Sequence, residues 1–146
     1  VLRGSHPAKI DEKGRLKIPT DYRTFISAEL KTSEVYVTTD DADGQYVRVY
    51  PMPVWNEIEA KLAKMPSTDP ARRRFERWTS VYGQSTEIDV QGRVVIHTLL
   101  RDRAAMVGDV RVMGLGRYLE IWNQDRLLGQ ERLTIDDYRR LSEFDI

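Results

Sequence analysis

The chain contains no cysteine and only two histidines, His6 and His97. That removes disulfides, thiolate nucleophiles and Cys-ligated zinc or iron–sulfur centres, and it leaves little imidazole for acid–base or metal chemistry. A reducing, cytoplasmic setting suits such a composition. Long apolar runs are also missing. None approaches the roughly 18 residues that a membrane-crossing helix requires, and the N-terminal stretch has no signal-peptide core, so neither a membrane nor a secreted protein is expected. Net charge is absent too, because 23 basic residues face 23 acidic ones in a chain of 146. Indiscriminate electrostatic binding of polyanions is therefore disfavoured, and the length suits one ordinary domain or two small ones.

What charge there is lies unevenly. Arg3, Lys9, Lys13, Arg15, Lys17 and Arg23 stand against only Asp11, Glu12 and Asp21 in the first 23 residues, and no lysine follows Lys64. A polyanion could meet a basic N-terminal face on a chain that is neutral as a whole.

An internal repeat organises the sequence. Ile10-Asp11-Glu12-Lys13-Gly14-Arg15-Leu16-Lys17-Ile18-Pro19 aligns without gaps on Ile88-Asp89-Val90-Gln91-Gly92-Arg93-Val94-Val95-Ile96-His97, with five of ten positions identical. Unrelated sequences of average composition would match at about half a position over that length. Each copy continues into a helical stretch (20–30 and 98–107), a β-rich run, a turn, a second β-rich run and an aromatic residue. The runs are 35–39 and 46–50 around Asp43-Gly44, then 110–113 and 118–122 around Gly114-Leu115-Gly116. Further helices are predicted over 53–64 with Trp55, Ile58 and Leu62 inward, from Asp69-Pro70 with Phe75, Trp78 and Tyr82 on one stripe, and from Thr134 with Ile135, Tyr138, Leu141 and Phe144 on one side. A unit of about 50 residues is marginal alone. The copies are thus expected to interleave into one β-rich body with pseudo-twofold symmetry and helices covering its ends.

In Asp-x-x-Gly-Arg the glycine permits a tight turn, while the aspartate can accept from turn amides or from the arginine. A guanidinium held in this way suits a phosphate or the O6/N7 edge of guanine. An equally reasonable reading makes Asp11–Arg15 and Asp89–Arg93 internal ion pairs that fasten the turns. The copies differ at two basic positions, Lys13 against Gln91 and Lys17 against Val95. This favours Arg15 and Lys13 as the anion-contacting pair, with Lys17, Lys9 and Arg3 as weaker phosphate contacts.

Leu2-Arg3-Gly4, the stretch from Ile10 to Pro19, Tyr50-Pro51 through Trp55, Arg72 to Arg77, Asp89 to Arg93, and Glu120-Ile121-Trp122 together resemble the MraZ family of bacterial transcriptional regulators. The resemblance spans nearly the whole chain; His97 stands where the family's second repeat commonly has proline. It implies an α+β, mainly β fold, a double swapped-hairpin AbrB-like barrel formed by two tandem repeats with flanking helices. Residues 1–64 would form the first AbrB-like repeat, 65–80 a linking helix, 81–130 the second repeat and 131–146 a C-terminal helix. It further implies a ring-shaped homo-oligomer that binds direct repeats in double-stranded promoter DNA as a repressor, cytoplasmic and nucleoid-associated. Arg15 would contact DNA, with Asp11 supporting it, and Gly14, Asp89, Gly92 and Arg93 would maintain the motifs.

Other features read more plainly. Asp40-Asp41-Ala42-Asp43-Gly44 resembles a calcium loop, but the register puts Tyr50 where the final glutamate belongs, so a hairpin turn is expected. Gly114-Leu115-Gly116 lacks the third glycine of a dinucleotide fingerprint. Arg72, Arg73 and Arg74 are expected on a solvated or subunit-facing helix side, and Trp55, Trp78 and Trp122 in the core or in oligomer contacts. No carboxylate forms a spaced set with a histidine or nucleophile, so no enzyme, catalytic residue, metal site or cofactor is expected. The rival function is an antitoxin-like protein-interaction module of the same superfamily. Such modules usually carry a disordered acidic tail, whereas the end of this chain reads as a helix.

Overall fold

Period-two burial defines the strands: Val35 and Val37, Val47 and Val49, Val110 and Val112, and Leu119 and Ile121 are all fully buried, each pair separated by one residue. In the computed structural model, which describes residues 1–130 and 132–146, the first repeat contains β1 (Ser5–Ile10), β2 (Arg15–Lys17), α1 (Thr20–Ala28), β3 (Glu34–Thr38), β4 (Tyr46–Pro51) and α2 (Met52–Ala63). After α3 (Pro70–Val81) the second contains β5 (Gln84–Glu87), β6 (Arg93–Val95), α4 (Thr98–Arg103), β7 (Gly108–Gly114), β8 (Leu119–Asn123) and α5 (Gln124–Gln130), followed by α6 (Ile135–Ser142).

The eight strands form one antiparallel sheet in the order β5-β3-β4-β8-β7-β1-β2-β6, which curls into a nearly closed barrel. The order shows the exchange of hairpins. β1 of the first repeat pairs with β7 of the second, and β5 of the second pairs with β3 of the first. The remaining cross-repeat pairs, β2 with β6 and β4 with β8, lie on the pseudo-twofold axis. Neither repeat can complete its sheet alone. The expected interleaved barrel is the observed one, and its core draws Leu16, Ile18 and Ile26 from one repeat and Val94, Ile96 and Leu100 from the other.

Several local expectations shift. α4 ends at Arg103, short of 107, because Ala105 takes a positive φ of 52° and ends the helix. α5 was not anticipated, although it follows Trp122 as α2 follows Tyr50. The Asp40–Gly44 segment is a hairpin turn, with the Gly44 amide donating to the Asp41 carbonyl at 3.0 Å and Gly44 at φ 64°. The Thr134 capping box forms with Asp137, yet no residue of α6 is buried, and the helix ends at Ser142, so Phe144 of the expected stripe lies beyond it. Residue 131, the first of the expected C-terminal segment, lies outside the described residues.

Candidate nucleic-acid interface

The two motif turns are built alike. Gly14 and Gly92 both sit at φ 79°, and their amides donate to the Asp11 and Asp89 carbonyls at 3.0 and 2.9 Å. The turns also brace each other across the axis: the Ile18 amide donates to the Gly92 carbonyl and the Ile96 amide to that of Gly14, both at 2.8 Å. Each Asp side chain gathers its own turn. Asp11 Oδ1 accepts from the Lys13 and Arg15 amides at 3.0 and 2.9 Å, and Asp89 Oδ1 accepts from the Gln91 and Arg93 amides, both at 2.9 Å. These amide bonds hold both carboxyls below their ordinary range, with the Arg15 and Arg93 amides contributing most.

The arginines then diverge. Arg15 Nε donates to Asp11 Oδ2 at 2.7 Å, an ion pair that fixes the guanidinium by its inner nitrogen. Its two terminal nitrogens make no hydrogen bond among the described residues. Arg93 instead donates from a terminal nitrogen to Gln91 Oε1 at 3.0 Å and makes no side-chain bond to Asp89 among the described residues. Of the two ion pairs considered from the sequence, only the first forms. Gln91, where the first repeat has Lys13, supplies the competing acceptor.

Strand register decides which cations share a surface. On the β2–β6 ribbon Arg15 faces Val95, Leu16 faces Val94 and Lys17 faces Arg93. Leu16 and Val94 are fully buried, so Arg15, Lys17, Arg93 and Val95 lie together on the opposite, outer side. The side chain of Lys17 therefore points outward, and Arg93 joins the same surface as Arg15. Lys13 is exposed on the adjoining turn. Ile10 pairs with Leu16, which places Lys9 next to Lys17; both border a cleft with His6 and Asp21, and Lys9 lies 3.9 Å from Asp109. Arg3 is not part of this group. It precedes β1, at the end opposite the Asp11 turn, roughly 20 Å of strand away.

Two further arginines, not singled out from the sequence, support the turns. Arg23 of α1 reaches across to the second turn and donates to the Val90 carbonyl at 2.8 Å. Arg101 of α4 lies against the first turn, where its Nη1 would stand 1.8 Å from a Cβ placed on Gly14. Arg23 and Arg101 are themselves equivalent positions of the repeat, beyond the ten-residue window that revealed it. His97 keeps the extended backbone of its counterpart Pro19, and its Nε2 lies 2.9 Å from the Tyr82 carbonyl.

Among the described residues no group of three or more His, Asp or Glu could hold a metal ion, and no helix is long and apolar enough to cross a membrane.

Residues 1–78 match the family model described as "MraZ protein, putative antitoxin-like". The chain is similar to a protein named transcriptional regulator MraZ from Koribacter versatilis, 40% identical over 149 residues that cover all of both chains. A protein of the same name from Acidobacterium capsulatum is 39% identical over 147 residues, 99% of each chain. One from Legionella pneumophila is 38% identical over 125 residues, covering 86% of this chain and 81% of the relative.

Proposed function

The chain belongs to the MraZ family, and from that premise we propose that it is a sequence-specific DNA-binding transcriptional regulator, acting as a repressor. In this reading a ring-shaped homo-oligomer grips direct repeats in double-stranded promoter DNA in the cytoplasm, at the nucleoid. Residues 1–64 and 81–130 serve as the two AbrB-like repeats, joined through 65–80 and followed by a C-terminal helical segment at 131–146.

The observation that carries the reading is the outer surface of the β2–β6 ribbon, where Arg15, Lys17 and Arg93 lie side by side. Arg15 is tethered at Nε and open at both terminal nitrogens, so its fork can meet two acceptors on a guanine edge with little further loss of freedom. Lys17, Lys13 and Lys9 surround it as phosphate contacts, which set register and affinity rather than sequence. Arg3, at the far end of β1, would serve only a longer stretch of backbone. Asp11, Gly14, Asp89 and Gly92 shape the two turns and thereby aim Arg15 and Arg93. One such surface is a modest electrostatic handle. A ring presents several, and after the first contact the others bind at high effective concentration, so correctly spaced boxes are selected.

The test is salt-dependent binding to DNA upstream of the protein's own gene, comparing wild type with Arg15→Ala at matched oligomeric state. Loss of site discrimination in the variant supports the assignment; equal binding and discrimination refute it. Stable co-purification of a heterologous protein in place of DNA binding would favour the antitoxin-like module.

A further inference from the structure

We propose that α6 of one copy seats in a groove on α3 of the next copy, and that this contact joins the ring head to tail. The inference rests on the homo-oligomer reading above and names the surfaces that would build it.

The helix comes prepared, and none of its residues is buried. The Thr134–Asp137 capping box stabilises its first turn, Ile135 and Tyr138, one turn apart on the helix, are 72% and 60% exposed, and Phe144, just past the helix end, is 60% exposed. Such a stripe is costly to leave in water and is the usual signature of a helix that lies in an apolar groove.

A matching groove lies on α3. It is bordered by Ala42, Arg74, Arg77, Trp78 and Val81, with Val81 54% exposed. Trp78 is already immobilised: its indole N–H donates to the Asp41 carbonyl at 2.8 Å, its ring meets Tyr82 edge-on, and the Arg103 guanidinium lies 5.4 Å from its centroid. A fixed tryptophan with an apolar neighbour can bind without first losing side-chain freedom.

Charge selects the occupant. Arg74 and Arg77 border the groove, while Arg72 lies on another side of α3, paired with Glu76; in the α6 segment Arg139 and Arg140 pair with Asp136 and Glu143, which leaves Asp137 and Asp145 as its excess negative charge. A basic rim around an apolar floor therefore meets an acidic helix with an apolar stripe. Groove and helix are different surfaces of one chain. Pairing between copies is then heterologous, which propagates head to tail and closes into a ring when the rotation permits.

Because the chain has no cysteine, thiols can be introduced singly at exposed positions. Val81→Cys and Tyr138→Cys proteins, mixed and treated with a short thiol-specific cross-linker, should give a covalent heterodimer, and the double variant should give a ladder up to the wild-type particle size. Arg74→Glu with Arg77→Glu should raise the assembly dissociation constant about tenfold or more. An intramolecular cross-link in the double variant, with none between the single variants, would place the helix in its own groove and overturn the inference. Absence of any cross-link, or unchanged assembly on charge reversal, while wild type remains oligomeric by light scattering, would overturn it and leave the homo-oligomer reading standing. A monomeric wild type would overturn both.

Discussion

Arg48 of β4 and Glu120 of β8 face each other across the pseudo-twofold axis, with Arg48 Nη2 2.9 Å from Glu120 Oε2. They occupy the same place in their two repeats, so the symmetry of the fold is broken by opposite charge at its centre. Two first repeats paired symmetrically would set arginine against arginine there, and two second repeats glutamate against glutamate. Like charges directly opposite in a sheet are unfavourable. The charge difference therefore favours the interleaving of unlike halves of one chain over the pairing of like halves from two chains.

This pair belongs to a buried polar cluster, and removing its cation should be expensive. Arg48 also donates to Asp40 Oδ2 at 2.8 Å and to the Tyr50 hydroxyl at 3.1 Å, and it lies between the rings of Tyr46 and Tyr118. Arg48→Ala leaves two largely buried carboxylates facing each other and should lower unfolding stability by about 3–5 kcal/mol in chemical denaturation. Arg48→Lys should recover only part of the loss, because one ammonium cannot span the same acceptors in the same plane. A near-wild-type denaturation midpoint for Arg48→Ala would show that the cluster does not hold the repeats together.

Acid should loosen the motif turns. The Asp11 and Asp89 carboxyls are depressed below the ordinary aspartate value of 3.8 by the amides they accept from. A group whose folded value is depressed stabilises the fold above its unfolded value, and the contribution disappears as pH falls through the folded one. Both terms are therefore fully present at neutral pH and are lost progressively below about pH 4. Replacing Asp11 by Asn should flatten the acid limb of a plot of denaturation midpoint against pH. An unchanged acid limb would mean that this carboxylate does not anchor the turn.

The motif pair, the hairpin turns and the Asp69 and Thr134 caps were legible because each rests on local chemistry: a glycine, an Asx side chain, a proline at the helix start. The repeat also announced the interleaved barrel, since neither copy could bury its strands alone. Strand register was less accessible. That Arg93 shares a surface with Arg15 depends on Leu16 facing Val94, a long-range pairing that no short window of sequence encodes. Arg101 is hidden for the same reason, because the turn it braces lies in the other repeat, and so is the pairing of Arg48 with Glu120. α6 shows the opposite case. Its stripe was plain in the sequence, but a stripe does not say which surface covers it.

The two motif glycines should respond unequally to substitution. Both have φ 79°, where an L side chain costs about 1–2 kcal/mol. A Cβ on Gly14 would also lie 2.6 Å from the Ile96 carbonyl oxygen and collide with Arg101, whereas on Gly92 the nearest atom is Arg23 Nη1 at 3.1 Å. A flexible arginine can withdraw, but the Ile96 backbone cannot move without disturbing β6. Gly14→Ala should therefore destabilise by at least about 1 kcal/mol more than Gly92→Ala, as measured by denaturant unfolding. Equal losses would locate the cost in φ alone.

Around Arg15, affinity and discrimination should separate by residue. Lys17 is exposed and makes no hydrogen bond or ion pair among the described residues, so it can act on DNA only as a point charge. Lys17→Ala should weaken binding to all sequences alike and reduce the slope of log affinity against log salt by about 0.9. Arg15→Ala should cost about 1–3 kcal/mol on the preferred box and much less on unrelated DNA. Arg93 is turned toward Gln91, so its replacement by alanine should have a smaller effect on discrimination than that of Arg15. Titrations of the three variants against matched and scrambled boxes at several salt concentrations distinguish these outcomes. If Lys17→Ala altered box preference as strongly as Arg15→Ala, base reading would belong to the ribbon as a whole and not to the tethered guanidinium.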